Sequence, residues 1–226
     1  TIVFDRLVDN TSNSLTISNR ADNSIAVTAL TIADEETVSI SGSSAANDLT
    51  VTQLNSGDMT SLTLSGAADV IITNPLTGTR MTTVDASGST GANTVLVTNN
   101  VVAATMTGGT GIDTFTGGLL ADTITGNGGA DIIVGGAAAD IISGGAAGDT
   151  ITGGTGADII DVGAGANVIN VTAGDNGTVA TNSAGNSIAL SGADGMSSMA
   201  ATDTIIIAGY FSVGAAADTR LVAASD

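Results

Sequence analysis

The sequence predicts an all-β protein, a right-handed parallel β-solenoid (β-roll) in which short strands stack coil upon coil. The first observation is a nine-residue repeat that runs from Gly108 to Asp161. The second is a composition of 31 glycines, one proline, three phenylalanines, one tyrosine and no tryptophan in 226 residues. A nine-residue period suits neither a helix nor a heptad coiled coil, but it suits a glycine-rich turn followed by a short strand. The core must therefore be aliphatic.

Two positions of the repeat define its inside and its edge. The sixth position holds Asp113, Asp122, Asp131, Asp140, Asp149 and Asp158, and the eighth holds Phe115, Ile124, Ile133, Ile142, Ile151 and Ile160. If two repeats complete one coil, every second aspartate stacks on one edge and the others stack on the opposite edge. Because side chains alternate along a strand, we expect the eighth position to form the core and the seventh to face outward. Isoleucines at the seventh position, Ile132, Ile141 and Ile159, are candidates for a contact with another subunit or, equally, with a covering segment of the same chain.

The turns are predicted to bind calcium. Glycine allows the positive φ angles of a tight turn, which can aim carbonyl oxygens inward beside the aspartate carboxylate. Oxygen ligands of this kind suit Ca²⁺. The predicted ligands are the six aspartates and the main-chain carbonyls of Gly109, Gly111, Gly118, Leu120, Asn127, Gly129, Gly136, Ala138, Gly145, Ala147, Gly154 and Gly156. The alternative is a metal-free solenoid in which each aspartate bonds its own backbone.

Degenerate copies of the repeat predict weaker sites. Asn93 upstream, and Asn167 and Asn176 downstream, stand where the repeat would place aspartate, while Asp69 lies in a copy without the leading glycines. An amide still offers an oxygen but carries less charge. For Asn93 and Asp69, an ordinary turn without an ion is the alternative.

Three segments are expected: irregular solenoid coils over 1–103, the nonapeptide roll over 104–176, and a solenoid end with a cap over 177–226. Upstream, short strand-like motifs end at Gly42, Gly66, Gly88 and Gly108, so that each interval is shorter than the one before it. These intervals predict longer coils that tighten toward the length of two nonapeptides. Residues 203–211 predict a final strand.

Charge and composition exclude several functions. The formal charge is −18 with only four arginines, which excludes a basic nucleic-acid-binding surface. Histidine and cysteine are absent, which removes triads, zincin sites and thiol chemistry, so we expect no enzyme. No run of eighteen apolar residues predicts a membrane span. Since the chain begins without a methionine or a leader, we expect a piece of a longer protein or an export signal elsewhere.

The nonapeptides resemble the repeats of RTX proteins, which Gram-negative bacteria export by type I secretion. The resemblance implies several Ca²⁺ ions and a secreted, extracellular protein. The Thr-, Ala-, Ser- and Gly-rich strands, without Cys, His or Lys, further resemble the RTX-type surface-layer (S-layer) proteins of the Caulobacter kind. That similarity implies a structural protein at the cell surface, where calcium drives folding and self-assembly into a layer or filament. A cell-surface polysaccharide anchor would then lie outside this chain.

A second function fits the same repeats. RTX rolls also serve as folding and secretion modules of larger type I-secreted adhesins or exported enzymes. A catalytic or ligand-binding domain in the full-length reading frame would favour that alternative.

Overall fold

The chain folds as a parallel β-solenoid, as predicted from the sequence. The computed structural model describes residues 2–4, 14–19, 24–32, 36–46, 48–76, 80–171, 195–197 and 204–207. The strands in chain order are β1 Ile2–Phe4, β2 Ser14–Asn19, β3 Ile25–Val27, β4 Leu30–Ile32, β5 Thr37–Gly42, β6 Leu49–Val51, β7 Leu54–Asn55, β8 Ser61–Gly66, β9 Val70–Ile72, β10 Thr83–Ser89, β11 Asn93–Leu96, β12 Thr105–Thr107, β13 Asp113–Thr116, β14 Thr123–Gly128, β15 Ile132–Ala137, β16 Ile141–Ala146, β17 Thr150–Thr155, β18 Ile159–Asp161, β19 Val168–Val171, β20 Gly195–Ser197 and β21 Thr204–Ile207. Within these ranges no helix is long and apolar enough to span a membrane.

The strands form two large sheets and one small one. Sheet 1 has the order β2-β5-β8-β10-β12-β14-β16-β18-β20, and sheet 2 has the order β3-β6-β9-β11-β13-β15-β17-β19-β21. Sheet 3 contains only β1, β4 and β7. The pairings between these strands are parallel, because the chain climbs one coil between hydrogen-bonded neighbours.

One coil of the nonapeptide region takes two repeats. In sheet 1, Ile124 pairs with Ile142, and Ile142 pairs with Ile160. In sheet 2, Phe115 likewise pairs with Ile133, which lies two repeats further along the chain. The prediction that two repeats complete one coil is therefore confirmed.

The upstream coils are longer because they carry a third strand. Each of the first coils passes from sheet 1 through sheet 2 to sheet 3, where Leu30 of β4 pairs with Leu54 of β7. The step along the chain from Val38 to its partner Leu62 is longer than the step from Met106 to its partner Ile124. The predicted tightening of the coils is therefore confirmed.

The interval between Gly88 and Gly108 is not the length of a coil in sheet 1. Val84 pairs with Met106, which is a longer step along the chain than the one between the two glycines. A bulge between Asp85 and Gly88 shifts the register of β10 against β8. As a result, Gly66 pairs with Ser89 and not with Gly88, although the two glycines end similar sequence motifs. The expectation that this coil is shorter than the one before it was therefore wrong for sheet 1. In sheet 2, however, the residues of β11 pair with residues of β13 that are as far along the chain as Gly108 is from Gly88.

The core is a column of aliphatic side chains between the sheets. All six residues at the eighth position of the repeat are buried, and upstream valine, leucine, isoleucine and methionine continue the same core. At the seventh position Ile132, Ile141 and Ile159 are 47%, 52% and 56% exposed. The predicted inside and outside positions are therefore confirmed.

The C-terminal strands extend both large sheets. β20 pairs with β18, and β21 pairs with β19. The final strand predicted over 203–211 is thus confirmed for Thr204–Ile207, and the rest of that range lies outside the described residues.

Candidate metal site in the turns

The aspartates of the repeat form two buried columns, one along each edge of the roll. The first edge carries Asp113, Asp131 and Asp149, followed by Asn167, and the second carries Asp122, Asp140 and Asp158. All seven side chains are almost completely buried, at 0–2% exposure. Residues 81–219 contain no basic residue, so no arginine within the roll neutralises these columns.

One carboxylate oxygen of each aspartate bonds the coil before it. Asp131 Oδ1 accepts a hydrogen bond from the backbone N–H of Asp113 at 2.7 Å, and Asp149 Oδ1 accepts one from Asp131 at 2.9 Å. On the second edge, Asp140 Oδ1 accepts from the N–H of Asp122 at 2.8 Å. Each carboxylate therefore adds a side-chain bond between two coils to the backbone bonds that also join them at the turn.

The second carboxylate oxygen divides the first five turns of the repeat into two classes. In turn 108–113, Asp113 Oδ2 accepts from the Gly109 N–H at 2.8 Å, and in turn 117–122, Asp122 Oδ2 accepts from the Gly118 N–H at 2.7 Å. We call these the closed turns. Asp131, Asp140 and Asp149 have a buried Oδ2 without a hydrogen-bond partner, and we call turns 126–131, 135–140 and 144–149 the open turns.

The open turns also have a different backbone. Their second and fourth positions take positive φ, as in Gly136 at 119° and Ala138 at 74°. Positive φ in a non-glycine residue costs roughly 1–2 kcal/mol. The described residues contain three such cases, Asn127, Ala138 and Ala147, and all three lie in open turns. Backbone strain of this kind concentrates at functional sites.

Burial raises the pKa of carboxylates in both columns, among them Asp131 and Asp140. Desolvation, together with the charges of Asp113 and Asp149, raises the pKa of Asp131 to about 7 against the hydrogen bond that lowers it. Desolvation, helped by Asp158 and Asp122, likewise raises the pKa of Asp140 to about 7. The charged form of these columns is therefore costly unless a cation compensates it.

Oxygen atoms surround the glycine that opens each turn. A Cβ atom on Gly126 would collide with Asp131 Oδ2 and Gly144 O. A Cβ on Gly135 would collide in the same way with Asp140 Oδ2 and Gly153 O. The open turns therefore bring a partnerless carboxylate oxygen and a carbonyl oxygen of the next coil to one small space that no side chain can enter.

The donor set fits a hard cation. It consists of carboxylate and carbonyl oxygens, the ligands that Ca²⁺ takes in flexible geometry. No group of three or more His, Cys, Asp or Glu side chains suited to a metal occurs in the part of the chain that the structure describes. Main-chain carbonyls would therefore have to complete a coordination shell around Asp131, Asp140 or Asp149, and the ion would supply the missing positive charge.

Eight of the twelve carbonyls predicted as ligands lie between strands. The other four, at Asn127, Gly136, Gly145 and Gly154, lie near the C-terminal ends of β14, β15, β16 and β17. Some of the twelve already accept a hydrogen bond: Gly109 O from Gly128 N at 3.0 Å, Gly118 O from Ala137 N at 3.0 Å, and Gly145 O from Ala164 N at 2.7 Å. Because a carbonyl has two lone pairs, these bonds do not prevent coordination. Their role as ligands stays a prediction.

The weaker candidates have different places. Asn93 stands at the head of the first column, where its Nδ2 donates to Asp113 Oδ1 at 2.7 Å and to Gly91 O at 3.1 Å. Asp69 lies outside the column, since Val70 pairs with Asn93 and Asp69 Oδ1 accepts from the Ala92 N–H at 2.7 Å. Asn167 continues the first column and accepts from the Asp149 N–H. Asn176 lies outside the described residues.

The sequence analysis missed Asn100. This buried side chain accepts from the Met81 N–H at 3.0 Å and donates to Met81 O at 2.6 Å and Val102 O at 2.8 Å. Its backbone carbonyl accepts from Leu119 N in the next turn of the second edge. The spacing from Asn100 to Gly118, equal to two nonapeptides, was the signal that could have indicated it.

Fold and turns together define a parallel β-roll whose stacked turns are lined with carboxylates. Residues 107–142 and 143–177 match the family model of the RTX calcium-binding nonapeptide repeat, a model of four copies. The two matches cover less than half of the chain, and they include every closed and open turn. The match implies that this segment binds Ca²⁺. No curated protein and no solved structure matches the chain.

Proposed function

We propose that this chain is a structural, non-enzymatic protein of the cell exterior. It folds when it binds calcium and then associates with copies of itself. The observation that carries the proposal is the set of buried carboxylate oxygens without partners at Asp131, Asp140 and Asp149. They lie in stacked turns without a neighbouring basic residue, and they occur in the segment with RTX repeats.

The metal-free columns oppose folding. Neighbouring coils lie about 5 Å apart, the usual spacing of strands. At an effective dielectric of about 20, two carboxylates at that distance repel each other by roughly 3 kcal/mol. Since a whole domain has about 5–15 kcal/mol of stability, a few such pairs are enough to unfold it. A cation held between the turns removes this repulsion, and ion binding then contributes directly to folding.

A chain whose folding depends on calcium would fold outside the cell, where calcium is abundant. Extracellular modules bind Ca²⁺ with dissociation constants of about 10⁻⁴–10⁻³ M, which the ion reaches outside the cell and not in the cytosol. A chain with these columns would remain unfolded until export and fold afterwards. Secretion is also typical of proteins with RTX repeats, and the absence of cysteine means that folding needs no disulfide.

Self-association is supported by a pair of exposed isoleucines. Ile141 of β16 and Ile159 of β18 are direct cross-strand neighbours on the outer face of sheet 1, and each is more than half exposed. Thr123 occupies the equivalent place in β14. Threonine serves this position elsewhere in the roll, so the isoleucines are not needed for the strand itself. An apolar pair of this kind suits a contact between copies.

The test combines calcium removal with two isoleucine variants. Far-UV circular dichroism and light scattering after gel filtration follow the chain in calcium and in excess chelator. We expect chelation to abolish the β-signal of the nonapeptide roll and to disperse the large particles. In calcium, Ile141→Thr/Ile159→Thr should reduce particle size and keep the β-signal, whereas the control Ile132→Thr on sheet 2 should change neither. Large β-rich particles that persist in chelator would contradict the proposal.

The second candidate is a folding and secretion module of a larger exported protein. It is favoured by the confinement of the family match to residues 107–177. A chain that folds with calcium and stays monomeric at every concentration would support this candidate against self-association.

A further inference from the structure

We infer that the calcium columns begin at Asp131 and Asp140, and that the two closed turns before them are metal-independent caps. The inference rests on the proposed calcium-dependent folding and goes beyond the repeat pattern. By sequence, Asp113 and Asp122 are equivalent to the aspartates that follow them. Their surroundings in the structure are not equivalent.

Backbone and amide donors already bond both oxygens of each carboxylate in the closed turns. Asp113 Oδ1 accepts from Asn93 N at 3.0 Å and Asn93 Nδ2 at 2.7 Å, and its Oδ2 accepts from Gly109 N at 2.8 Å. Asp122 accepts from Ala104 N at 2.7 Å and Gly118 N at 2.7 Å. These N–H bonds stabilise the charged form of both carboxylates. At Asp113 desolvation by burial still outweighs them and raises the pKa. An ion at either aspartate would first have to break these bonds.

Backbone conformation separates the same two groups of turns. Positive φ at the second and fourth positions begins with Asn127 and Gly129 and occurs in each open turn, whereas Gly109, Gly111, Gly118 and Leu120 do not have it. The turns without this conformation are those in which the second-position N–H bonds the aspartate. The bonded oxygens and the backbone conformation thus place the boundary between the same turns.

The coils upstream of the repeat explain why the first turns close. Asn93 supplies two donors to Asp113, so this turn is bonded directly to a side chain of the preceding coil. In the next turn, Leu120 stands at the fourth position, where its side chain disfavours positive φ. The closed turns therefore join the metal-free coils to the calcium roll and offer it a preformed edge on which to fold.

The first test counts bound ions. Four single variants, Asp113→Asn, Asp122→Asn, Asp131→Asn and Asp140→Asn, are dialysed against saturating calcium, and calcium per chain is measured by atomic emission. Circular dichroism normalises each count to the folded fraction. We expect the first two variants to keep the wild-type number of ions and the last two to lose at least one. An equal loss in all four variants would overturn the inference.

The second test uses the wild-type chain and needs no substitution. Hydrogen exchange of the backbone amides is followed by mass spectrometry in calcium and in chelator. We expect the Gly109 and Gly118 amides to be protected in both states, and the amides of residues 127–149 to gain protection only with calcium. Closed turns that are unprotected in chelator would contradict the inference. A wild-type chain that binds no calcium would instead refute the proposed function, so the two failures are distinguishable.

Discussion

Replacing Ile133 with alanine tests the architecture of the roll at a single side chain. Ile133 is completely buried at the eighth position of its repeat, between Phe115 of the preceding coil and Ile151 of the following one. Its chain neighbour Ile132 occupies the seventh position and is 47% exposed. The same substitution at the two adjacent isoleucines therefore removes the same atoms from opposite sides of one strand.

The expected difference follows from the burial. Ile133→Ala removes three carbon atoms from the core, which at about 0.8 kcal/mol each amounts to roughly 2.4 kcal/mol of lost transfer free energy. The coils before and after it hold the space open, so a cavity term adds to this loss and brings it to about 3–4 kcal/mol, within the usual range of about 2–5 kcal/mol. Ile132→Ala should cost about 1 kcal/mol or less, because its side chain already contacts water.

Urea unfolding in saturating calcium, followed by far-UV circular dichroism, measures both free energies of unfolding. Circular dichroism is suitable because the chain has no tryptophan. The slope of the transition should be the same for both variants, so that the midpoints report stability alone. Equal losses, or a larger loss for Ile132→Ala, would refute the assignment of the core.

Three further predictions concern the turns. Asp131→Ala should raise the calcium midpoint of folding more than Asp158→Ala does. The reason is that Asp131 stands between two aspartates of its column, whereas Asp158 is the last aspartate of the other column. Equal midpoints in calcium titrations would count against stacked turns. In chelator, the metal-free roll should be more stable at pH 5 than at pH 8. Because folding raises the pKa of Asp131 and Asp140, their protonation stabilises the folded state. This contribution is complete below their ordinary pKa of 3.8 and is lost as the pH rises through about 7. Far-UV circular dichroism in chelator at the two pH values measures this, as a larger folded fraction at pH 5. Calcium affinity should change in the opposite sense because protons compete for the carboxylates. Magnesium should not replace calcium in folding titrations, since it dehydrates reluctantly and demands a tighter octahedral shell, and equal folding by both ions would contradict the site.

The repeat pattern alone determined the coil and its two faces. In a strand, side chains alternate between faces, so a nine-residue period with an apolar eighth position leaves one arrangement that buries the isoleucines. For this reason the coil of two repeats, the buried column that contains Ile142, the exposed Ile141 and the two edges of aspartates all followed from local sequence. The strands of the upstream coils were also predictable, because their apolar residues alternate with threonine and serine.

Only the tertiary structure decided the upstream register and the state of each carboxylate. The third strand of the early coils and the bulge in β10 depend on pairing between residues that are far apart in the chain, which a short local motif does not specify. Asp113 and Asp131 occupy the same position of the repeat, yet one has both oxygens bonded and the other has a buried Oδ2 without a partner. The physical reason is that Oδ1 of each carboxylate bonds the preceding coil in both turns, whereas the bond from Oδ2 to its own turn is made only where the backbone of that turn lacks positive φ.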